Sequence, residues 1–230
     1  MHTLHLNGIS SMATRQVLAD LAGDYLRRSG VAVDFESVGG VDAVRRVEAG
    51  ERFDVVVLAA DAIDRLIAAG RVVAGSRTDL VQSSVAIAVR AGAPRPAVDS
   101  EDALRHAVLS ARALGYSTGP SGVALARLFD RWGIAATIRD RLVQAPPGVP
   151  VGALLARGDV DLGFQQLSEL MHLEGIEVLG PMPPGCEILT TFSAGICAAS
   201  PHPDAARALL DFLRSPDTAD AKRRHGMTPA

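Results

Sequence analysis

Two hydrophobic periods take turns along the chain. Short apolar or alternating runs predict strands; stretches with apolar residues three and four apart predict helices. Residues 4–6 predict a first strand. Ser10 and Ser11 then precede a helix with Val17, Leu18, Leu21, Tyr25 and Leu26 on one face, stopped by Gly30. Val31, Val33 and Phe35 alternate as a strand does, and Gly39-Gly40 opens a helix bearing Val41, Val44 and Val47, ended by Gly50. Residues 54–58 predict a buried strand and 62–69 a helix closed by Gly70. Three successive βα units imply a parallel sheet with helices on both faces.

A long β segment follows at 80–89, then a Pro-interrupted stretch at 93–98, then a helix to residue 111 with Ser100 as its N-cap. Strands are predicted at 114–117, 142–145, 162–165 and 176–179, and helices at 121–132, 151–157 and 167–173. A second long β segment covers 188–199, and helices at 203–213 and 217–225 finish the chain. The expected fold is α/β and two-lobed, each lobe a mainly parallel sheet flanked by helices, joined by two crossover strands. Lobe 1 takes 1–83 and 200–230, lobe 2 takes 84–199, and the hinge strands lie near 83–89 and 190–199. Ser83–Ser84 and Ser193–Gly195 are the expected pivots of a closing motion.

Composition narrows the class. Aromatics are 4% of the 230 residues, so Ala, Val, Leu and Ile must build the core. A net charge of -3 predicts no general attraction to nucleic acid. The longest apolar run, 55–60, is strand-sized and far short of the ~20 residues that cross a bilayer. Met1 and His2 lead at once into the first strand without an export leader, so the expected location is the cytoplasm. Cys186 and Cys197 have no metal-type spacing and read as two buried small hydrophobes. His5 reads as a buried imidazole, and His106 and His225 as surface residues. No metal, cofactor or catalytic base is assigned.

Ligands of open α/β sheets collect at the carboxyl ends of the strands. Several strand-to-helix turns here carry small polar residues. They are the Ser10-Ser11 turn, the Gly39-Gly40 turn, Ser117-Thr118 running into Gly119-Pro120-Ser121-Gly122, the turn around Val149, and Gln165-Gln166. The first N–H groups of a helix lack internal partners and carry positive partial charge, glycine lets an anion approach, and hydroxyls add movable donors. Such turns could hold a small anion without a lysine or arginine. Each also has a plainer reading: Ser11 as a cap, Gly39-Gly40 as a turn, Gln165-Gln166 as satisfied amides. Ser84 is a further candidate contact, and Arg15 a possible carboxylate partner if the ligand is large.

These turns resemble those of the type II periplasmic binding proteins, in their molybdate-binding branch. Ser11-Met12 resembles that branch's Ser-Leu helix start. Val44-Arg45-Arg46-Val47-Glu48-Ala49-Gly50 before Asp54 is similar to its IEAG…D passage, and Pro120-Ser121-Gly122 to its Pro-Ala-Gly turn. Val151-Gly152-Ala153-Leu154 with Asp161-Leu162-Gly163-Phe164, and the closing Phe212-Leu213-Arg214-Ser215-Pro216, extend the resemblance over nearly the whole chain. It implies an oxyanion site between two lobes, with contacts at Ser11, near Gly40, at Ser121, near Val149 or Pro150, and at Gln166. Gly40 stands where the branch has a serine and Gln166 where it has a tyrosine, so a site for molybdate is altered here. Aconitate isomerase-like proteins, which move a proton between carbons of a tricarboxylate, resemble the chain through Gly-Tyr-Ser-Thr-Gly-Pro-Ser-Gly and Gly-Phe-Gln-Gln. The implied functions are an isomerase of a small polycarboxylate or, alternatively, an oxyanion-binding protein serving an ABC permease if exported. A ligand-sensing domain is a third reading, disfavoured because no DNA-binding segment is present.

Overall fold

Blocks of strand and helix alternate through the computed structural model, which describes residues 4–230; His2 lies outside them. The chain begins with β1 (His5–Ser11), a 3₁₀ turn (Met12–Thr14), α1 (Arg15–Ser29), β2 (Ala32–Val38), α2 (Gly40–Glu48), β3 (Val55–Ala59), α3 (Ala60–Ala68) and β4 (Thr78–Arg90). It continues with α4 (Glu101–Ser110), β5 (Leu114–Tyr116), α5 (Pro120–Arg131), α6 (Ala135–Ile138), β6 (Leu142–Gln144), α7 (Val151–Arg157), β7 (Leu162–Gln166), α8 (Leu167–Leu170) and β8 (Ile176–Pro181). It closes with β9 (Leu189–Ile196), α9 (Pro203–Arg214), α10 (Ala219–Arg224) and β10 (Met227–Pro229).

Two compact units result. The first takes the residues up to Gln82 together with those from Thr191, and the second takes Ser83–Thr190. In the first unit β1 pairs in parallel with β2 and β3. There β9 runs antiparallel to β3, with Val55 opposite Ile196 and Ala59 opposite Phe192, and β4 and β10 complete the edge. Alternate residues of β3 enter opposite layers: Val55 and Val57 join the α1 and α9 side, Val56 and Leu58 the α2 and α3 side. A strand buried on both faces must be apolar throughout, which is why 55–58 reads Val-Val-Val-Leu. Asp54, just before β3, is 3% exposed; it accepts the Asn7 N–H at 2.9 Å and the Ser200 hydroxyl at 2.5 Å, fixing the returning segment to β1.

In the second unit β5 pairs in parallel with β6 and β7, and β4 runs antiparallel to both β7 and β8. Val85, Ile87 and Val89 of β4 enter one layer, Ala86 and Ala88 the other. The small side chains face α7, which lies close: a Cβ added at Gly163 would stand 2.7 Å from Leu155, and one at Gly115 2.9 Å from Val151. Among the described residues, no helix is long and apolar enough to cross a membrane.

Several expectations need correction. The first strand runs to Ser11 instead of stopping at residue 6, so Ser10 and Ser11 end a strand. Hydroxyl residues are tolerated there because Ser10, fully buried, pairs with Ser37 on the neighbouring strand at 2.8 Å between oxygens. The helix then starts at Arg15, after the 3₁₀ turn. The second unit boundary falls at Thr190/Thr191 instead of 199/200, because β9 is held by β3. Ser193–Gly195 are thus inside a paired strand, and the Ser193 hydroxyl donates to Asp79 at 2.6 Å. His5 is exposed beside Asp34 at the sheet edge, whereas the His225 side chain is 12% exposed against Asp20. Both cysteines are buried and form no disulfide. The short strand β10 was not anticipated; Ala230 N–H reaches the Leu80 carbonyl at 3.2 Å.

Candidate functional site

In the first unit the strand ends carry hydroxyls and glycines. The Ser11 backbone is extended, at φ -71° and ψ 156°, at the start of the 3₁₀ turn. Its hydroxyl does not cap that turn: Ser11 is buried and its Oγ has no hydrogen-bond partner. A buried hydroxyl without a partner costs about 1–3 kcal/mol, so such atoms in native folds usually meet a ligand or water. Ser10, by contrast, is satisfied by Ser37. Gly39 precedes α2 at φ -58°, and a Cβ added at Gly39 or Gly40 would meet nothing within 4 Å. Neither backbone strain nor packing within the described chain demands glycine at these two positions. Arg15 is exposed and borders a groove between α1 and β2 with Asp34 and Phe35.

In the second unit the ends of β5, β6 and β7 lie side by side, since Tyr116 is opposite both Gln144 and Phe164. The turn after β5 is tightly built. The Ser117 and Ser121 hydroxyls are 3.0 Å apart, Ser121 is 5% exposed, and Thr118 is exposed. Gly122 is there for space: an added Cβ would stand 2.0 Å from the Ser117 carbonyl oxygen. After β6, where a contact near Val149 or Pro150 was expected, the Val149 N–H donates to the Pro146 carbonyl at 3.0 Å within its own turn.

The two glutamines separate in role. Gln165 accepts the Val151 N–H at 2.8 Å and donates from Nε2 to Glu169 Oε1 at 2.8 Å. Because its carbonyl takes a backbone N–H, its NH₂ must face the carboxyl. Gln166 donates to the Thr190 hydroxyl at 2.9 Å, and its Oε1 is buried without a partner. Ser84 is half-buried in β4; it is the neighbouring Ser83 whose buried hydroxyl lacks a partner. Among the described residues, Ser11, Ser83 and Gln166 are therefore the strand residues whose buried side chains have unmet hydrogen-bonding capacity.

Glu169 was missed in the sequence, where it looked like an ordinary position of the helix after β7. It is partly exposed, and burial of its carboxyl raises the pKa from 4.5 to about 7, against the lowering effect of Gln165. The available signal was an acidic residue four positions after a strand-ending glutamine. A separate cavity of about 660 Å³ lies at the other end of β7, lined by Val89, Arg90, Pro94, His106, Arg112 and Asp161 among others. Its walls are mostly apolar, and the Arg112 guanidinium is paired with Asp161 at 3.0 Å.

The chain is 38% identical over 230 residues to a protein named aconitate isomerase from Pseudomonas sp., covering 97% of this chain and 87% of that one. Its fold matches the periplasmic molybdate-binding protein of Azotobacter vinelandii with a TM-score of 0.81 at 18% identity, covering 97% of this chain and 98% of that one. It matches the sulfate-binding protein SubI of Mycobacterium tuberculosis with a TM-score of 0.81 at 19% identity, over 100% and 88% of the two chains. These structural likenesses establish the two-lobed α/β binding-protein fold. The model of the bacterial extracellular solute-binding proteins matches residues 6–228, and the chain belongs to that family.

Proposed function

We propose that this protein binds a small organic polycarboxylate and isomerises it by moving a proton between carbons; its 38% identical relative is named for isomerising aconitate. That identity over nearly the whole chain carries the reading. The donor set supports it: the unpartnered Ser11 hydroxyl in the first unit, the Ser117–Ser121 pair and the Gln166 amide in the second. Carboxylates accept from hydroxyl, amide and backbone N–H donors alike, and the starts of α2 and α5 add favourable dipoles. Ser10 and Val149 are left out of the contact set, because Ser37 and Pro146 already engage them.

The oxyanion-binding alternative draws on the molybdate- and sulfate-binding structural relatives. A thermal-shift screen combined with a product assay separates the two. trans-Aconitate is expected to raise the unfolding midpoint by several degrees and to be converted to the cis isomer, while molybdate and sulfate leave the midpoint unmoved. Stabilisation by molybdate or sulfate alone, with no interconversion of aconitates, would favour the transporter reading. A protein retained in the cytoplasm is the expected form of the isomerase, and cell fractionation checks it.

A further inference from the structure

We propose that Glu169 is the group that takes the proton from the substrate carbon and returns it; this rests on the isomerase reading above. The reaction needs one group able to accept and then donate a proton. Ionisable side chains are scarce at the strand ends. The segments 10–14 and 37–40 of the first unit hold none, and the first acid after β3, Asp61, is exposed. In the second unit the segments 117–121, 144–150 and 165–169 contain one acidic side chain, Glu169, and no histidine, lysine or arginine.

Its surroundings suit the task. Gln165, fixed by the Val151 N–H, holds Oε1 of Glu169 at 2.8 Å. Gln166, whose Oε1 is unpartnered, ends the same strand, with its side chain on the face opposite Gln165. α8 packs against β7, α7 and β8. The influences on the Glu169 carboxyl are burial and Gln165; Arg157 on α7 and Glu177 on β8 are not among them. A carboxyl that titrates near neutrality can be ionised to receive a proton and protonated to give one back.

The step balances without a co-reactant. The Glu169 carboxylate removes a proton from the CH₂ beside the double bond, so a C–H bond breaks and an O–H bond forms. The electron pair spreads over three carbons and into the adjoining carboxylate. The carboxyl then returns its proton to the far carbon of that allylic unit, breaking O–H and forming C–H, and the double bond has moved by one position.

The test is the variant Glu169→Gln, assayed with trans-aconitate. Gln keeps an acceptor for Gln165 and removes the proton carrier. Turnover is expected to fall about 10³-fold, with the thermal shift by trans-aconitate retained. Wild-type kcat/KM is expected to drop below about pH 7, the ionisation of Glu169. Removing the Gln165 donor with Gln165→Leu should move that limb to higher pH, because Gln165 lowers the pKa. Turnover by Glu169→Gln within about fivefold of wild type would overturn the assignment and leave the isomerase reading standing. A wild-type protein that binds tricarboxylates without interconverting them overturns both. If Glu169→Gln fails to fold, the Gln165→Leu profile decides, and an unmoved limb counts against Glu169.

Discussion

Relative to Glu169→Gln, the wild-type protein should lose about 2–3 kcal/mol of unfolding free energy between pH 4.5 and pH 7. The Glu169 carboxyl has its pKa raised by burial, from 4.5 to about 7. The folded state therefore prefers the neutral acid. A raised pKa contributes stability that is fully present below the unfolded value and is lost as pH rises through the folded one. Glutamine does not titrate, so the variant lacks this slope. Denaturant unfolding of both proteins at half-unit pH steps, followed by circular dichroism, measures the difference. Parallel curves would mean that the carboxyl is well solvated in the folded protein. The measurement involves no substrate, and so it bears on the environment of Glu169 independently of any activity.

Gly122→Ala should destabilise the protein by about 3 kcal/mol, at the upper end of what an overpacked position usually costs. The added methyl would stand 2.0 Å from the Ser117 carbonyl oxygen and 3.1 Å from the Ser117 carbonyl carbon. A flexible side chain could swing aside, but a backbone carbonyl can yield only by unwinding the turn that joins β5 to α5. That turn also holds the Ser117–Ser121 hydroxyl pair, so ligand binding should fall with stability. For a unit of this size the thermal midpoint should drop by roughly 10 °C. Gly119→Ala is the control: its φ is -81°, a Cβ there meets nothing within 4 Å, and its effect on stability should stay within about 0.5 kcal/mol. Equal midpoints for the two variants would mean that Gly122 has no packing role.

Much of this arrangement could be read from the residues. Gly30 and Gly50 end α1 and α2 with positive φ, as their positions after apolar-periodic stretches implied. The Ser100 hydroxyl accepts the Ala103 N–H at 3.2 Å, as a capping serine should. The failures share a cause. Ser10 and Ser11 looked like a turn because isolated hydroxyls weaken a strand signal, yet across the ladder Ser10 meets Ser37, a partner 27 residues away that no local pattern reveals. The turn around Val149 read as a contact point, yet the Val149 N–H is engaged by the Pro146 carbonyl of the same turn. Glu169 was passed over for the opposite reason: its place in the helix was read well enough, but neither the burial of its carboxyl nor its bond to Gln165 is written in helical spacing. Tertiary surroundings, more than residue type, set what a carboxyl can do.

The second unit is an unbroken stretch, Ser83–Thr190, inserted within the first. During synthesis it has all of its own residues once Thr190 has left the ribosome. The first unit then still lacks β9, α9, α10 and β10, including the strand that pairs with β3 and the last residue that bonds to Leu80. Domains fold as units while the chain emerges. The inserted domain is thus expected to gain protease resistance on stalled nascent chains before the domain that was begun first, an order opposite to that in which the two were started.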